Sequence, residues 1–255
     1  MTTHAFVLHL VRATARRENA QRLLQDAKDT CGIEGEIWPA VDGSALSHAD
    51  VDDALEADIF EPPYPFALKT GEIGCFLSHR QIWAEIVRRD LAAGLVLEDD
   101  VSVEVDIFAH AQKLAQLHVS RLGYVQLQNR PAKGSSQLID QIGSCSLTLP
   151  NVTPVRASAQ LISRAAAERL LGASRTFDRP VDTFVQSHWY TGFRPGVIYP
   201  SGIRTISEQL DGSTIQNSRK SLGERLHREI ARFSYRRAVA KFSQSSSAPS
   251  GVDTP

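Results

Sequence analysis

No run of about 18 consecutive apolar residues occurs in this 255-residue chain, so it carries no signal for a membrane-spanning helix. It has no Walker loop, no GxGxxG, no HExxH and no GxSxG. P-loop ATPase, dinucleotide oxidoreductase, zincin and hydrolase-elbow chemistries therefore have no motif to stand on. Cysteine is scarce: Cys31, Cys75 and Cys145 are an odd number without a CxxC pair or a histidine cluster. They read as reduced, buried thiols of a cytosolic protein. A net charge of -1 excludes nucleic-acid binding by the chain as a whole. The apolar run 5–10 has no positive region before it, and Arg12, Arg16 and Arg17 follow it, so no signal peptide is expected.

What is present is ordinary for a soluble globular chain, 42% hydrophobic and 22% charged, and long enough for one large core. Residues 5–10 read as a strand and 15–27 as a helix with Ala20, Leu23, Leu24 and Ala27 on one face, the opening of an α/β fold. A short strand at 36–38 runs into the Asp42-Gly43 turn. Residues 44–68, broken by Glu61-Pro62-Pro63-Tyr64-Pro65, predict an irregular, partly helical excursion. Ile73, Phe76, Leu77, Trp83, Ile86 and Val87 recur at helical spacing and predict a helix ending near 90–93. Further helices are expected at 103–117, at 164–171 between a Ser163 cap and a Gly172 stop, and at about 180–189. Strands follow at 123–127 and 196–200, with a loop or hairpin over 131–150 and a polar loop over 201–218.

The composition then changes. Residues 219–241 hold eight Lys or Arg against two Glu, with Leu222, Leu226, Ile230 and Phe233 along one helical face. A catalytic domain of 1–218 is thus followed by a basic amphipathic helix, 219–242, which either docks on the core or lies on an anionic membrane. The Ser- and Pro-rich residues 243–255 predict a disordered tail.

The chemistry centres on Gly94-Leu95-Val96-Leu97-Glu98-Asp99-Asp100-Val101, an apolar run ending in three acids. Open α/β sheets bind ligands at the carboxyl ends of their strands, and three adjacent carboxylates repel one another unless a cation or donors offset them. Alternation along the strand lets Glu98 and Asp100 reach one metal ion while Asp99 points elsewhere, to a ligand hydroxyl or a supporting donor. An exposed acidic turn is the plain alternative. Asp182 opens a helix, where a carboxylate favours the dipole, and is also a candidate base. Ser78 and His79 are adjacent on a helix and so do not face each other; His79 reads as a capping or core-edge residue or as part of a site.

Four segments together resemble glycosyltransferase family 25, the lipopolysaccharide and lipooligosaccharide glycosyltransferases related to collagen galactosyltransferases. They are residues 6–17, Ala40-Val41-Asp42-Gly43, Gly71-Glu72-Ile73-Gly74-Cys75-Phe76-Leu77-Ser78-His79, and Leu95-Val96-Leu97-Glu98-Asp99-Asp100-Val101. Fainter likeness continues at 159–163, 180–182, Gln209 and 213–215, so the resemblance covers roughly 5–216. One departure is His9, where the family has asparagine, and the match is sparse between 127 and 154.

The resemblance implies a GT-A type fold, with a Rossmann-like mixed sheet flanked by helices, and an inverting transfer of a sugar, galactose by the family's commonest choice, from a UDP-sugar. The acceptor would be a saccharide or glycolipid, in the cytoplasm or at the inner face of the membrane. Glu98 and Asp100 would hold Mn2+ or Mg2+, hard ions suited to oxygen ligands. Asp182 would be the base, with Glu208 and Asp211 as rivals, and Asp99 would assist catalysis. Arg12, Asp42, Glu72, Ser78 and His79 would meet the donor. A haloacid-dehalogenase-like phosphatase fits less well, since its first acid is an aspartate near the amino terminus and here it is Glu98 in mid-chain. A nucleotide-sugar-binding module without catalysis is the other alternative.

Overall fold

The computed structural model describes residues 2–207 and 222–246. Strands and helices are numbered along the chain. β1 (Thr3–His9) lies between β2 (Gly35–Pro39) and β3 (Ala93–Glu98), parallel to both. β5 (Tyr124–Leu127), β6 (Ser136–Ile142), β7 (Cys145–Pro150), β8 (Ala159–Ser163) and β9 (Gly196–Tyr199) complete an eight-stranded sheet of order β2-β1-β3-β8-β5-β9-β7-β6. β8 is antiparallel to β3 and to β5, while β9 is parallel to β5. The sheet is therefore mixed, and helices cover both faces. A two-stranded ribbon pairs β4 (Val101–Val103) with β10 (Ile203–Thr205).

Alternation along the central strands sorts the core into two layers. Ala5, Val7, Leu95 and Leu97 join the layer containing residues of α1 (Arg17–Cys31) and α4 (Val105–Leu122). Phe6, Leu8 and Val96 join the layer built with α3 (Thr70–Arg88), α5 (Arg164–Ala173) and α6 (Val181–Gln186). In that second layer Phe76 stacks on Phe177 at 3.7 Å, and both rings are fully buried. Burial of each such ring stabilises the fold by about 1.5–3 kcal/mol.

The start of α3 is held against the 40–43 turn by contacts that admit no side chain. A Cβ on Gly74 would lie 2.7 Å from Gly43 N and Val41 O, and one on Gly43 would fall onto the Thr70 carbonyl. Ser78 Oγ donates to Gly74 O at 2.6 Å and accepts from Val41 N at 2.8 Å. The two sequence segments around Asp42 and Gly71 are thus one packing unit.

Two expectations change, and a third is made definite. Helix α4 starts at Val105 because Val101–Val103 is paired with β10. Helix α5 runs through Gly172 to Ala173, where Ser174, in a conformation that is not left-handed, caps it by donating its backbone N–H to Leu171 O. Residues 136–150 form the β6–β7 hairpin that extends the sheet edge. The excursion over 44–68 contains α2 (His48–Ala54), and the stretch after α6 holds α7 (His188–Thr191).

The basic helix α8 (Leu222–Ser245) docks on the core. Val239 and Ser243 are 2% exposed. Phe242 stacks on Trp189, and Arg194 donates to Ser243 O at 2.8 Å. Buried Arg179 donates to Phe60 O, Pro62 O and Tyr235 Oη, tying the 60–62 loop to α8. No helix among the described residues is long and apolar enough to cross a membrane.

Candidate active site

The triplet follows β3 at the carboxyl end of the parallel strands, and its three carboxylates part company there. Asp99 turns into the protein. Its Oδ2 meets His9 Nδ1 at 2.8 Å and its Oδ1 accepts from Arg16 Nη1 at 3.1 Å. Asn19 Nδ2 donates to the carbonyls of Asp99 and Val101 at 2.9 and 2.8 Å, fixing the backbone of the turn. His9, Arg16, Asn19 and Asp99 are all buried. Asp99, expected to assist catalysis, is therefore held through both oxygens by buried partners and does not line the cavity that Glu98 faces. His9 is one of those partners.

Glu98 faces the other way, into a cavity of about 830 Å³ lined also by Tyr64, Glu72, Cys75, Asp182 and Tyr235. Burial raises its carboxyl, but His79, Ser158 and Arg16 outweigh this and hold it below the usual glutamate range. His79 is fully buried and its Nε2 stands 3.9 Å from Glu98 Oε1, beyond hydrogen-bond reach, so its attraction is through space. Asp100 accepts from Ser207 Oγ at 2.7 Å through Oδ2, whereas its buried Oδ1 has no partner. Burial first, and then repulsion from Glu98, pushes the Asp100 carboxyl up.

Asp182, the first acid of α6, accepts from Thr183 N at 2.7 Å. Burial raises its carboxyl; Thr183 lowers it, and Glu98 and Glu72 raise it further. Among the described residues, no arginine or lysine forms an ion pair with Glu98, Glu72 or Asp182. Among the described residues, these carboxylates thus face the cavity without an arginine or lysine paired to them, while the arginines and lysine of the lining stand apart from them. An orphaned buried carboxylate oxygen beside a second, mutually repelling carboxylate is a donor set that fits a hard divalent ion.

The remaining expected site residues fall in three places. Glu72 lines the cavity and also caps α3, accepting from Lys69 N at 2.8 Å. His79 lies beneath the cavity floor, its Nδ1 3.2 Å from Gln160 Nε2, rather than at the edge of the core. Ser78 is not available to a donor, because its hydroxyl is used up between α3 and the 40–43 turn. Arg12 and Asp42 pair with each other at 2.6 Å outside the cavity lining; this guanidinium, then Ser44, holds the Asp42 carboxyl down at about 2. Glu208 and Asp211, the rival bases, lie outside the described residues. Of the arginine group, Arg16 is buried and paired while Arg12 and Arg17 are exposed.

Sequence reasoning missed the cavity's outer wall. Arg232, Tyr235, Arg236 and Val239 of α8 line it beside Tyr64 and Phe66, and Tyr64 meets Tyr235 edge-on at 5.5 Å while Arg232 lies over the Phe66 ring. Only the helical pattern of the tail was available as a signal, and a pattern does not say which surface a helix covers. Arg130, Lys133 and Arg156 add a basic rim near the end of β5.

The family model for glycosyltransferase family 25 (LPS biosynthesis protein) matches residues 2–185, which sets the class as that of the glycosyltransferases. The chain belongs to glycosyltransferase family 25. It is 33% identical to a glycosyltransferase 25 family member of Drosophila melanogaster over 195 residues, covering 71% of this chain and 29% of that protein. It is 40% identical to procollagen galactosyltransferase 1 of Danio rerio over 115 residues, 44% of this chain and 18% of that protein. The chain spans less than half the length of these relatives. A bovine and a human member of the family that it also matches are named as probably inactive and inactive. Among solved structures it is similar to a glycosyltransferase involved in glycosylation of the major capsid of PBCV-1, with a TM-score of 0.36 and 11% identity, covering 74% of this chain and 67% of that one. That likeness is too remote to bear on the reaction.

Proposed function

We propose that this chain is a metal-dependent inverting glycosyltransferase that moves a hexose, galactose by analogy with the procollagen galactosyltransferases it matches, from a UDP-sugar to a saccharide or glycolipid acceptor in surface-glycan assembly. The observation that carries this reading is the carboxylate set at the end of β3, where Glu98 faces the cavity with Asp182 raised by burial, and Asp100 beside it keeps one buried oxygen, Oδ1, without a hydrogen-bond partner. Glu98 and Asp100 would hold Mn2+ or Mg2+, which when bound supplies charge neutralisation for the departing diphosphate.

The chain's own residues do the rest. Asp182, with a proton affinity above that of an ordinary aspartate, accepts the proton of the acceptor hydroxyl. The new bond forms between that oxygen and the anomeric carbon, the bond to the diphosphate oxygen breaks on the opposite side, and UDP leaves with the bonding pair. Tyr64, Phe66 and Tyr235 give the sugar apolar faces, and their wall limits water in the cleft. The outward side of α8, where Ile230 and Phe233 are about 60% exposed among arginines, is the place for contact with an anionic membrane.

A screen of UDP-, GDP- and CMP-sugars with and without manganese, reading nucleotide release, tests the proposal. Manganese-dependent release from a UDP-sugar, abolished in Asp100→Ala, is the expected result; no turnover of any nucleotide sugar would sink it. The inactive relatives favour a second reading, donor binding without transfer. Tight UDP-sugar binding with neither release nor transfer would select it.

A further inference from the structure

The hard-oxygen reading of Glu98 leaves two neighbours unexplained. Cys75 and His79 are four residues apart on α3, so both side chains leave the helix on the same face, and both reach the Glu98 carboxylate from below. Cys75 Sγ is 4.0 Å from Glu98 Oε1, His79 Nε2 is 3.9 Å from the same oxygen, and the three donor atoms all lie within 4.8 Å of one another. His79 is fully buried, and its Nε2 has no hydrogen-bond partner although it is aimed at this point. A buried ring nitrogen left unsatisfied costs about 1–3 kcal/mol, so a ligand that uses it is favoured.

We propose that Cys75, His79 and Glu98 form a second kind of cation site, one for a thiophilic divalent ion such as Zn2+ or Co2+, with its fourth position open to the cavity. The donor set of one sulfur, one imidazole nitrogen and one carboxylate oxygen matches zinc and cobalt, and a thiol ligand disfavours Mg2+ and Mn2+. Ligand distances of about 2.0–2.3 Å require the three atoms to close by a few tenths of an ångström to about 1 Å, within the reach of side-chain rotation. Gln160 completes the design from behind. Its buried amide lies against His79 Nδ1, and its Oε1 has no partner. With Oε1 turned to the ring, Nδ1–H donates to it and Nε2 presents its lone pair to the ion, as ligating histidines require. Binding exchanges the Cys75 thiol proton for the metal–sulfur bond, and that proton passes to solvent.

The site does not depend on the donor chemistry above. Because Glu98 is shared, zinc in this position removes one oxygen ligand from the hard ion.

Titration of the full metal-free chain with Co2+ tests the proposal. A thiolate-to-cobalt charge-transfer band in the near ultraviolet, with tetrahedral bands in the visible, is expected from the native chain and from a Cys31→Ser control. The charge-transfer band is lost in Cys75→Ser. Zinc competes the cobalt off, and zinc affinity falls by about tenfold or more in His79→Gln. In the native chain, zinc slows iodoacetamide labelling mapped to Cys75, a readout that needs no variant to fold. The proposal is overturned by absence of the charge-transfer band, by its survival in Cys75→Ser, or by labelling of Cys75 that zinc does not slow. Manganese-dependent nucleotide release without any cobalt band would leave the transferase reading standing and remove this one.

Discussion

Asp99 and Glu98 are neighbours in sequence and belong to two regions built on opposite electrostatic terms. The region behind the sheet edge closes around Asp99: His9 and Arg16 neutralise it, Asn19 fixes its backbone, and all four residues are buried. The cleft in front gathers Glu98, Glu72 and Asp182 without an arginine or lysine partner among the described residues. A closed ion pair in a buried site is hard to break, because removing one member strands the other. An open carboxylate set is strained in isolation and satisfied by what it binds. The contrast separates carboxylates held by buried partners from carboxylates that face the cleft.

Substitutions on the two sides should therefore fail in different ways. Asp182→Asn should lower turnover by about 10²–10⁴-fold while leaving the fold intact, as expected for loss of a general base; steady-state kinetics beside a thermal melt would show it. The Asp182 carboxyl is raised by burial, so its favourable contribution is present below the ordinary aspartate range and is lost as pH rises through the raised value. Chelator-treated Asp182→Asn should accordingly be more stable than the native chain at neutral pH, an advantage that fades in acid. Equal stability at both pH values would place Asp182 outside the strained set.

On the closed side, Asp99→Ala should cost about 3–5 kcal/mol of unfolding free energy, because a buried ion pair with Arg16 and the contact with His9 are broken together. Urea unfolding reads this, and a loss below about 1 kcal/mol, within the range of a surface pair, would show that the two regions do not differ as described. Val239→Asp places a charge in the seam between α8 and the core, and should cost at least the roughly 1.5–3 kcal/mol of a buried valine. It should also raise KM by opening the cavity wall, and an unchanged KM would show that α8 is not part of the working cleft. The smallest effect is expected at Arg12→Ala: this pair with Asp42 is largely exposed, and its loss should change stability by no more than about 1 kcal/mol in a denaturant titration.

Much of the central architecture was legible because it is local. Consecutive apolar residues at Phe6, Val7, Leu8, Val96 and Leu97 specify strands buried on both faces, and the periodicity of Ile73, Phe76, Trp83 and Ile86 specifies the inner face of α3. The motif around Gly71 was legible for a different reason than function: Gly43 and Gly74 touch backbone to backbone, and Ser78 fastens that contact. A donor role for Ser78 was inferred from a signal that packing had produced.

By itself, then, the sequence determined the strands at 5–10, 36–38, 94–98, 123–127 and 196–200, the main helices, and the carboxylates placed after a buried strand, since each follows from the spacing of residues along one segment. Tertiary structure alone decided which acid of the triplet faces the cleft, which is neutralised by Arg16 and His9, and that Cys75 and His79 converge on Glu98. It also decided that α8 walls the cavity. The physical reason is that these outcomes depend on partners far along the chain, as in Cys75 with Glu98, His79 with Gln160 and His9 with Asp99, which are 23, 81 and 90 residues apart. A carboxylate's role is set by the charge and burial around it, and those are properties of the folded surroundings rather than of its own stretch of chain.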